Sequence, residues 1–295
     1  MWLDVVVSGL TAGSLYCLVA VGFNVLYRPT KVFNFAQGDL VMLGAMTSAL
    51  LTSQQGWPWW AALLAAMAAV ALLAVLEERI AVAPVLARSG SGAGGTAWII
   101  TTLAVAMIIA NLVGKVWGAD PIVVPAPPPL SADMLPITGV SVSSYQIALV
   151  VLTILIVFGV ERLYRSLWGK AALAVAEDRD AALLRGIDPR SIARWSFALG
   201  GALAALTGVL AAPVLNAATT LGGLLLLKGF AAAAIGGLGS NRGALIAGYL
   251  IGLAEAASAL LLSPGYHNAV MLVLVLAVLL VRPGGLFSSL EARSV

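Results

Sequence analysis

The chain has 295 residues, 61% of them hydrophobic and 10% charged, with a net charge of +3; its mean hydropathy is +1.02. A soluble domain carries roughly a quarter charged residues and needs polar surface to face water, so a soluble globule, a disordered chain and a disulfide scaffold are excluded. What remains is an all-α, polytopic transmembrane helical bundle with little mass outside the bilayer.

A hydrocarbon layer about 30 Å thick needs about 20 apolar residues per helix. Met1-Trp2-Leu3-Asp4 has no basic n-region, and the apolar run behind it exceeds a signal-peptide core. Residues 5–27 therefore read as a first span kept in the mature chain. The single cysteine, Cys17, lies inside it and reads as a small apolar residue. Pro29 and Lys31 then interrupt the pattern, Asn34, Gln37 and Asp39 follow, and 36–51 is a short segment rich in Gly and Ala. Further spans are expected at 59–76, 97–114, 145–160, 195–215, 244–262 and 269–281, with 224–239 a second short, interrupted stretch. The total is eight or nine membrane segments, the short ones tilted or re-entrant.

Lysine and arginine set the orientation. With nine segments and the N-terminus outside, only Lys115 and Lys228 of the 16 basic residues fall on the outer side. The other 14 face the cytoplasm, as the positive-inside rule requires, and the C-terminus is cytoplasmic. Basic residues scattered between apolar runs form no nucleic-acid surface.

Within this single transmembrane domain, spanning 1–295, two connections are long. The outer one, 115–143, holds six of the thirteen prolines and is expected to be an extended strap or a docking surface. The inner one, 161–194, carries seven basic and five acidic residues. Within it, 171–185 is rich in helix formers, with Gly186 and Pro189 as stop signals, predicting one cytosolic helix. Residues 89–95 are a Gly/Ser linker on the same side. Trp57, Trp59, Trp60, Trp168 and Trp195 fit interfacial belts.

Catalytic chemistry is missing. One His and one Cys cannot build a zinc site, and Gly169-Lys170 lacks the flanking residues of a phosphate-binding loop. No nucleophile triad or paired carboxylate is visible. The chain is not read as an enzyme, and no cofactor is expected.

The inner loop motif Ala176-Glu177-Asp178 followed by Leu183-Leu184-Arg185-Gly186-Ile187-Asp188 resembles that of permease subunits of ATP-binding-cassette importers. The resemblance is specifically to the branched-chain amino-acid (high-affinity leucine/isoleucine/valine) family. Gly9-Leu10-Thr11-Ala12-Gly13-Ser14-Leu15-Tyr16 and Asn34-Phe35-Ala36-Gln37-Gly38-Asp39 are similar to its opening pattern. Lys228-Gly229-Phe230, Gly236-Gly237-Leu238-Gly239-Ser240 and Gly252-Leu253-Ala254-Glu255-Ala256 are similar to its closing one. The resemblance implies a bacterial inner-membrane permease subunit that works with a second permease subunit or a second copy of itself. Two cytosolic ATPases and an external solute-binding protein would complete the importer. It assigns ATPase coupling to Ala176, Glu177, Asp178, Arg179, Leu184 and Gly186. Gln37, where family members often carry His, bears on the substrate rather than the fold. An ion-coupled carrier, a permease for urea or short amides, and a membrane scaffold are the alternatives. The first needs intramembrane acids, and only Glu255 is clearly one, with Asp39 marginal.

Asn34, Gln37 and Asp39 are candidates for a pathway or gate, because irregular backbone within the membrane must be buried or line a wet cavity. The other reading is an ordinary turn whose Asp39 favours a helix start. Gly236, Gly237, Gly239 and Gly243 suggest close packing and a tight turn. Lys228 and Glu255, also candidates, lie at similar helical rise from a turn at 240–242, so a buried ion pair is expected between them. A span followed by a broken segment occurs at 5–51 and again at 195–262, starting from opposite sides, which hints at an inverted repeat.

Overall fold

The computed structural model describes residues 2–88, 97–118, 120–128, 130, 134–137, 140–262 and 264–287. Helix α1 (Trp2–Thr30) carries Pro29 in its last turn, and Lys31 then takes a left-handed φ of +57°. After the irregular stretch 31–36 comes α2 (Gln37–Ala49), prolonged by a π-turn over Leu50–Gln54. Helix α3 (Trp59–Glu77) continues through a second π-turn, Glu78–Val82, into α4 (Ala83–Arg88). Then follow α5 (Ala97–Trp117), the antiparallel strands β1 (Met134–Ile137) and β2 (Val140–Ser143), and α6 (Ser144–Tyr164). The connection 161–194 holds α7 (Leu167–Glu177) and α8 (Arg179–Leu184). The chain closes with α9 (Pro189–Leu215), α10 (Leu221–Gly236), α11 (Asn241–Leu261) and α12 (His267–Val281).

Among the described residues, six helical stretches are long and apolar enough to cross a membrane: Trp2–Thr30, Trp59–Leu86, Ala97–Trp117, Ser144–Tyr164, Pro189–Leu215 and Asn241–Leu261. Leu221–Gly236 and His267–Val281 are apolar but shorter. The all-α bundle stands. Of the five tryptophans expected in interfacial belts, Trp57, Trp59, Trp60 and Trp195 are exposed and Trp168 is half-buried.

The chain divides into two compact units, one of residues 1–24, 125–161 and 227–295, the other of residues 25–124 and 162–226. In the first, α1 meets α11 backbone to backbone, Gly9 and Gly13 lying against Gly248 and Gly252. At the turn joining α10 to α11, a Cβ on Gly243 would collide with the Gly236 carbonyl, so the four expected glycines do form a tight corner. In the second unit α9 is central, with α2 and α3 packed against it.

Three expectations change. The single helix over 171–185 is two, because Asp178 is extended (φ −150°, ψ 111°) and its carboxylate caps α8 through the amides of Asp180 and Ala181, both at 2.9 Å. An aspartate has an N-cap option that competes with helix continuation. The connection 115–143 contains a β-ribbon rather than only extended strap, Met134 pairing with Ser143 and Ile137 with Val140. The third apolar run does not stop at Leu76: the π-turn carries the helix past Glu77, Glu78 and Arg79.

Candidate functional site

Two long helices that precede a short one, α1 and α9, end in the same way. Helix α1 has Pro29 inside it and a positive-φ residue, Lys31, directly after it; α9 has Pro213 inside it and Asn216, φ +62°, directly after it. These are the only non-glycine positive φ values among the described residues. A proline removes a backbone donor and crowds the preceding turn, so the helix ends, and the short helices α2 and α10 begin five or six residues later.

In the second unit the starts of these two short helices meet. A Cβ on Gly38 would run into the Gly222 carbonyl, and one on Gly222 would lie 3.0 Å from the Gly38 carbonyl oxygen and 2.9 Å from Asp39 Oδ1. Only glycine at both positions permits this approach. Asp39 thus sits in the first turn of α2 and against the first turn of α10, at the positive ends of both helix dipoles.

The stretch before α2 is organised by Asn34, fully buried. Its Oδ1 accepts from the Ala36 amide at 2.8 Å, and its Nδ2 donates to Glu77 Oε2 at 2.8 Å. Gln37, also fully buried, donates from Nε2 to the Gly200 carbonyl of α9 at 3.1 Å. Two acceptors here have no donor: Gln37 Oε1 and Glu77 Oε1. No cation lies within ion-pair distance of Glu77 among the described residues; Asp39 is the charge acting on it through space. A buried carboxylate with one free oxygen is expensive in a membrane. It suits a group that meets something: a proton, a cation, an ammonium or ordered water.

The first unit is different. Lys228 Nζ lies 2.9 Å from Glu255 Oε2, both residues being under a tenth exposed. Tyr16 completes a triangle, its hydroxyl donating to Glu255 Oε2 at 2.6 Å while accepting from Lys228 Nζ at 3.0 Å. The pair expected from helical rise has formed. Nearby on α1, Asn24 Oδ1 accepts from the Gly239 amide at 2.8 Å, and its Nδ2 donates to the Ser240 carbonyl at 3.1 Å. This clamps the α10–α11 corner to α1.

In the connection 161–194, Ala176 is half-buried, while Glu177, Asp178, Arg179 and Leu184 are exposed, Leu184 at 91%. Gly186 ends the α8 turn with φ +80°. An open leucine on a short charged segment is the kind of residue a partner covers.

Glu77, Tyr16 and Asn24 were missed by sequence reasoning. Tyr16 and Asn24 look like ordinary members of an apolar run. Glu77 was assigned to an inner loop because Glu77-Glu78-Arg79 looks like the end of a span. The apolar residues Ile80-Ala81-Val82 that resume directly afterwards were the available signal.

A family model described as branched-chain amino acid transport system / permease component matches residues 5–279. The chain is 31% identical over 303 residues to the high-affinity branched-chain amino acid transport system permease protein BraD of Pseudomonas aeruginosa, covering 100% of this chain and 98% of that protein. It is 29% identical to the corresponding LivH of Escherichia coli, covering 98% and 96%. To the probable branched-chain amino acid transport permease protein LivH of Methanocaldococcus jannaschii it is 27% identical, covering 92% and 88%. No solved structure matches.

Proposed function

This chain belongs to the branched-chain amino acid transport permease family, and we propose that it is the translocation subunit of an ATP-driven importer for branched-chain amino acids. It crosses the bacterial inner membrane with nine segments, six long and three short (α2, α10 and α12), the N-terminus outside and the C-terminus in the cytoplasm. Its partners are a second permease subunit or a second copy, two cytosolic ATPases and an external solute-binding protein.

The observation that carries the reading is the meeting of two broken helices at Gly38 and Gly222 beside Asn34, Gln37 and Asp39. Transporters place such half-helix ends at their substrate path, because their free amides can serve a ligand without a regular backbone. Ala176, Glu177, Asp178, Arg179, Leu184 and Gly186 form the ATPase contact; exposed Leu184 and Leu167, at 91% and 86%, support this. The buried Glu77 supplies an intramembrane acid that the ion-coupled alternative had lacked. That reading predicts uptake without an ATPase.

The test is uptake into proteoliposomes holding the permease with its genetically neighbouring ATPases and binding protein, against leucine, urea and acetamide. ATP-dependent leucine uptake is expected. Uptake without ATP, driven by a proton gradient, would favour the ion-coupled carrier, and urea uptake alone would move the substrate class. Glu177→Ala and Gly186→Val should abolish uptake while the complex still purifies intact. For orientation, Asp120→Cys should react with an impermeant maleimide in intact cells and Ser166→Cys should not. The native Cys17 is fully buried and gives a quiet background.

A further inference from the structure

The second unit contains a cavity that, Arg179 apart, the translocation reading does not use. It has a volume of about 560 Å³, within the range of about 300–1,000 Å³ typical of small-molecule sites. It opens beside α8 and the start of α9, in the inner connection. Its charged lining is mixed: Arg179, Arg190 and Arg194 against Glu78 and Asp188.

The charges are not spent on each other. Asp188 is committed to capping α9, accepting from the amides of Arg190 at 3.0 Å and Ser191 at 3.2 Å. Glu78 is only 4% exposed, and its carboxyl group has no hydrogen bond and no ion pair within 4 Å among the described residues. Arg194, Arg79 and Arg179 act on it through space. Arg194 and Arg179 likewise have no carboxylate in contact among the described residues. A buried acid and two guanidinium groups without a carboxylate in contact therefore line the same space. Leu86, Leu183 and Ala83 supply an apolar side.

We propose that this cavity is a second amino-acid site, on the releasing face of the permease, that takes an aliphatic α-amino acid as its zwitterion. Arg194 and Arg179 hold the carboxylate, as guanidinium forks hold carboxylates bidentately. Glu78 accepts from the ammonium. Leu86 and Leu183 cover the aliphatic side chain. The choice of an aliphatic amino acid rests on the proposed substrate; the zwitterion pattern rests on the cavity alone. A bound amino acid would tie α8 to α9, so accumulated product would restrain the segment proposed to contact the ATPase.

The test is calorimetric titration of the full-length chain in lipid nanodiscs with L-leucine, 4-methylpentanoate (no ammonium), 3-methylbutylamine (no carboxylate) and inorganic phosphate. Leucine should bind at least tenfold more tightly than either one-ended analogue or phosphate. Equal binding of 4-methylpentanoate or phosphate would reduce the site to an anion hole and overturn the proposal. Glu78→Gln and Arg194→Gln should each weaken leucine binding tenfold or more, whereas the outer Lys115→Gln should leave it unchanged. Leucine binding undiminished in both cavity variants would place the ligand elsewhere and overturn the proposal. Variant chains that do not remain monodisperse are replaced by the wild-type analogue series, which decides alone. Leucine uptake by the wild-type importer, measured in parallel, tests the proposed function independently of this cavity.

Discussion

The two units each bury an acidic side chain, and they treat it in opposite ways. Glu255 is neutralised by Lys228 and held by Tyr16. Glu77 has one amide donor from Asn34, no cation among the described residues, and an oxygen facing nothing. A charge in a membrane costs about 2.5–3.5 kcal/mol even by insertion scales. Pairing offsets much of that cost for Glu255 and makes its triangle a fastening between α1, α10 and α11. Glu77 has no such compensation among the described residues, and the role we propose for it is on a surface that changes partner during a transport cycle. The contrast separates a clamp from a contact.

The strongest way to break it is to strip the clamp. Lys228→Ala leaves Glu255 buried without a counter-ion, and losing one partner of a buried pair costs about 3–5 kcal/mol. Thermal unfolding of the detergent-purified chain should show a large destabilisation, and membrane levels should fall. The double variant Lys228→Met with Glu255→Leu should recover most of the stability, since apolar replacement of both partners is often neutral or better. Recovered folding with lost uptake would move the pair from clamp to pathway. Next in size is Tyr16→Phe. It removes two hydrogen bonds to charged groups, to Glu255 and from Lys228, each worth about 1.5–3 kcal/mol, with no new cavity, and should lower the unfolding midpoint while uptake per folded molecule is unchanged.

The fold was more legible than the site, for a physical reason. Apolar runs of spanning length are written directly in composition, so the long helices at 5–27, 97–114 and 195–215 required no tertiary information. The Lys228–Glu255 pair was equally legible, because two charges stranded at matching helical rise have few ways to be satisfied. Glu77 was not, since a π-turn that carries a helix through three charged residues leaves no sequence rule behind. Nor was the split at Asp178: its neighbours are good helix formers, and only the capping geometry of its own carboxylate shows that it starts a new helix. Gly38 and Gly222 lie in stretches rich in small residues, and only their mutual approach distinguishes them.

The smallest structural effect is expected where the functional one should be clearest. Glu77→Gln keeps the shape and keeps an acceptor for Asn34 Nδ2, while removing an ionisable carboxyl group from the interior. If the carboxylate is a structural member like Glu255, losing its charge should shift stability and leave uptake per molecule in place. If it serves the cycle, stability should change by less than about 1 kcal/mol, because neither packing nor the Asn34 bond is lost, and ATP-dependent uptake should fall tenfold or more. Asn34→Ala supplies the control. It removes the one donor to Glu77 and the acceptor for the Ala36 amide, so it should destabilise the start of α2 by about 1–3 kcal/mol as well as reduce uptake. An Asn34→Ala chain that transports normally, beside a Glu77→Gln chain that does not, would mean that the free oxygen rather than the hydrogen-bonded one is in use, since that oxygen is the part of Glu77 that Asn34 does not touch.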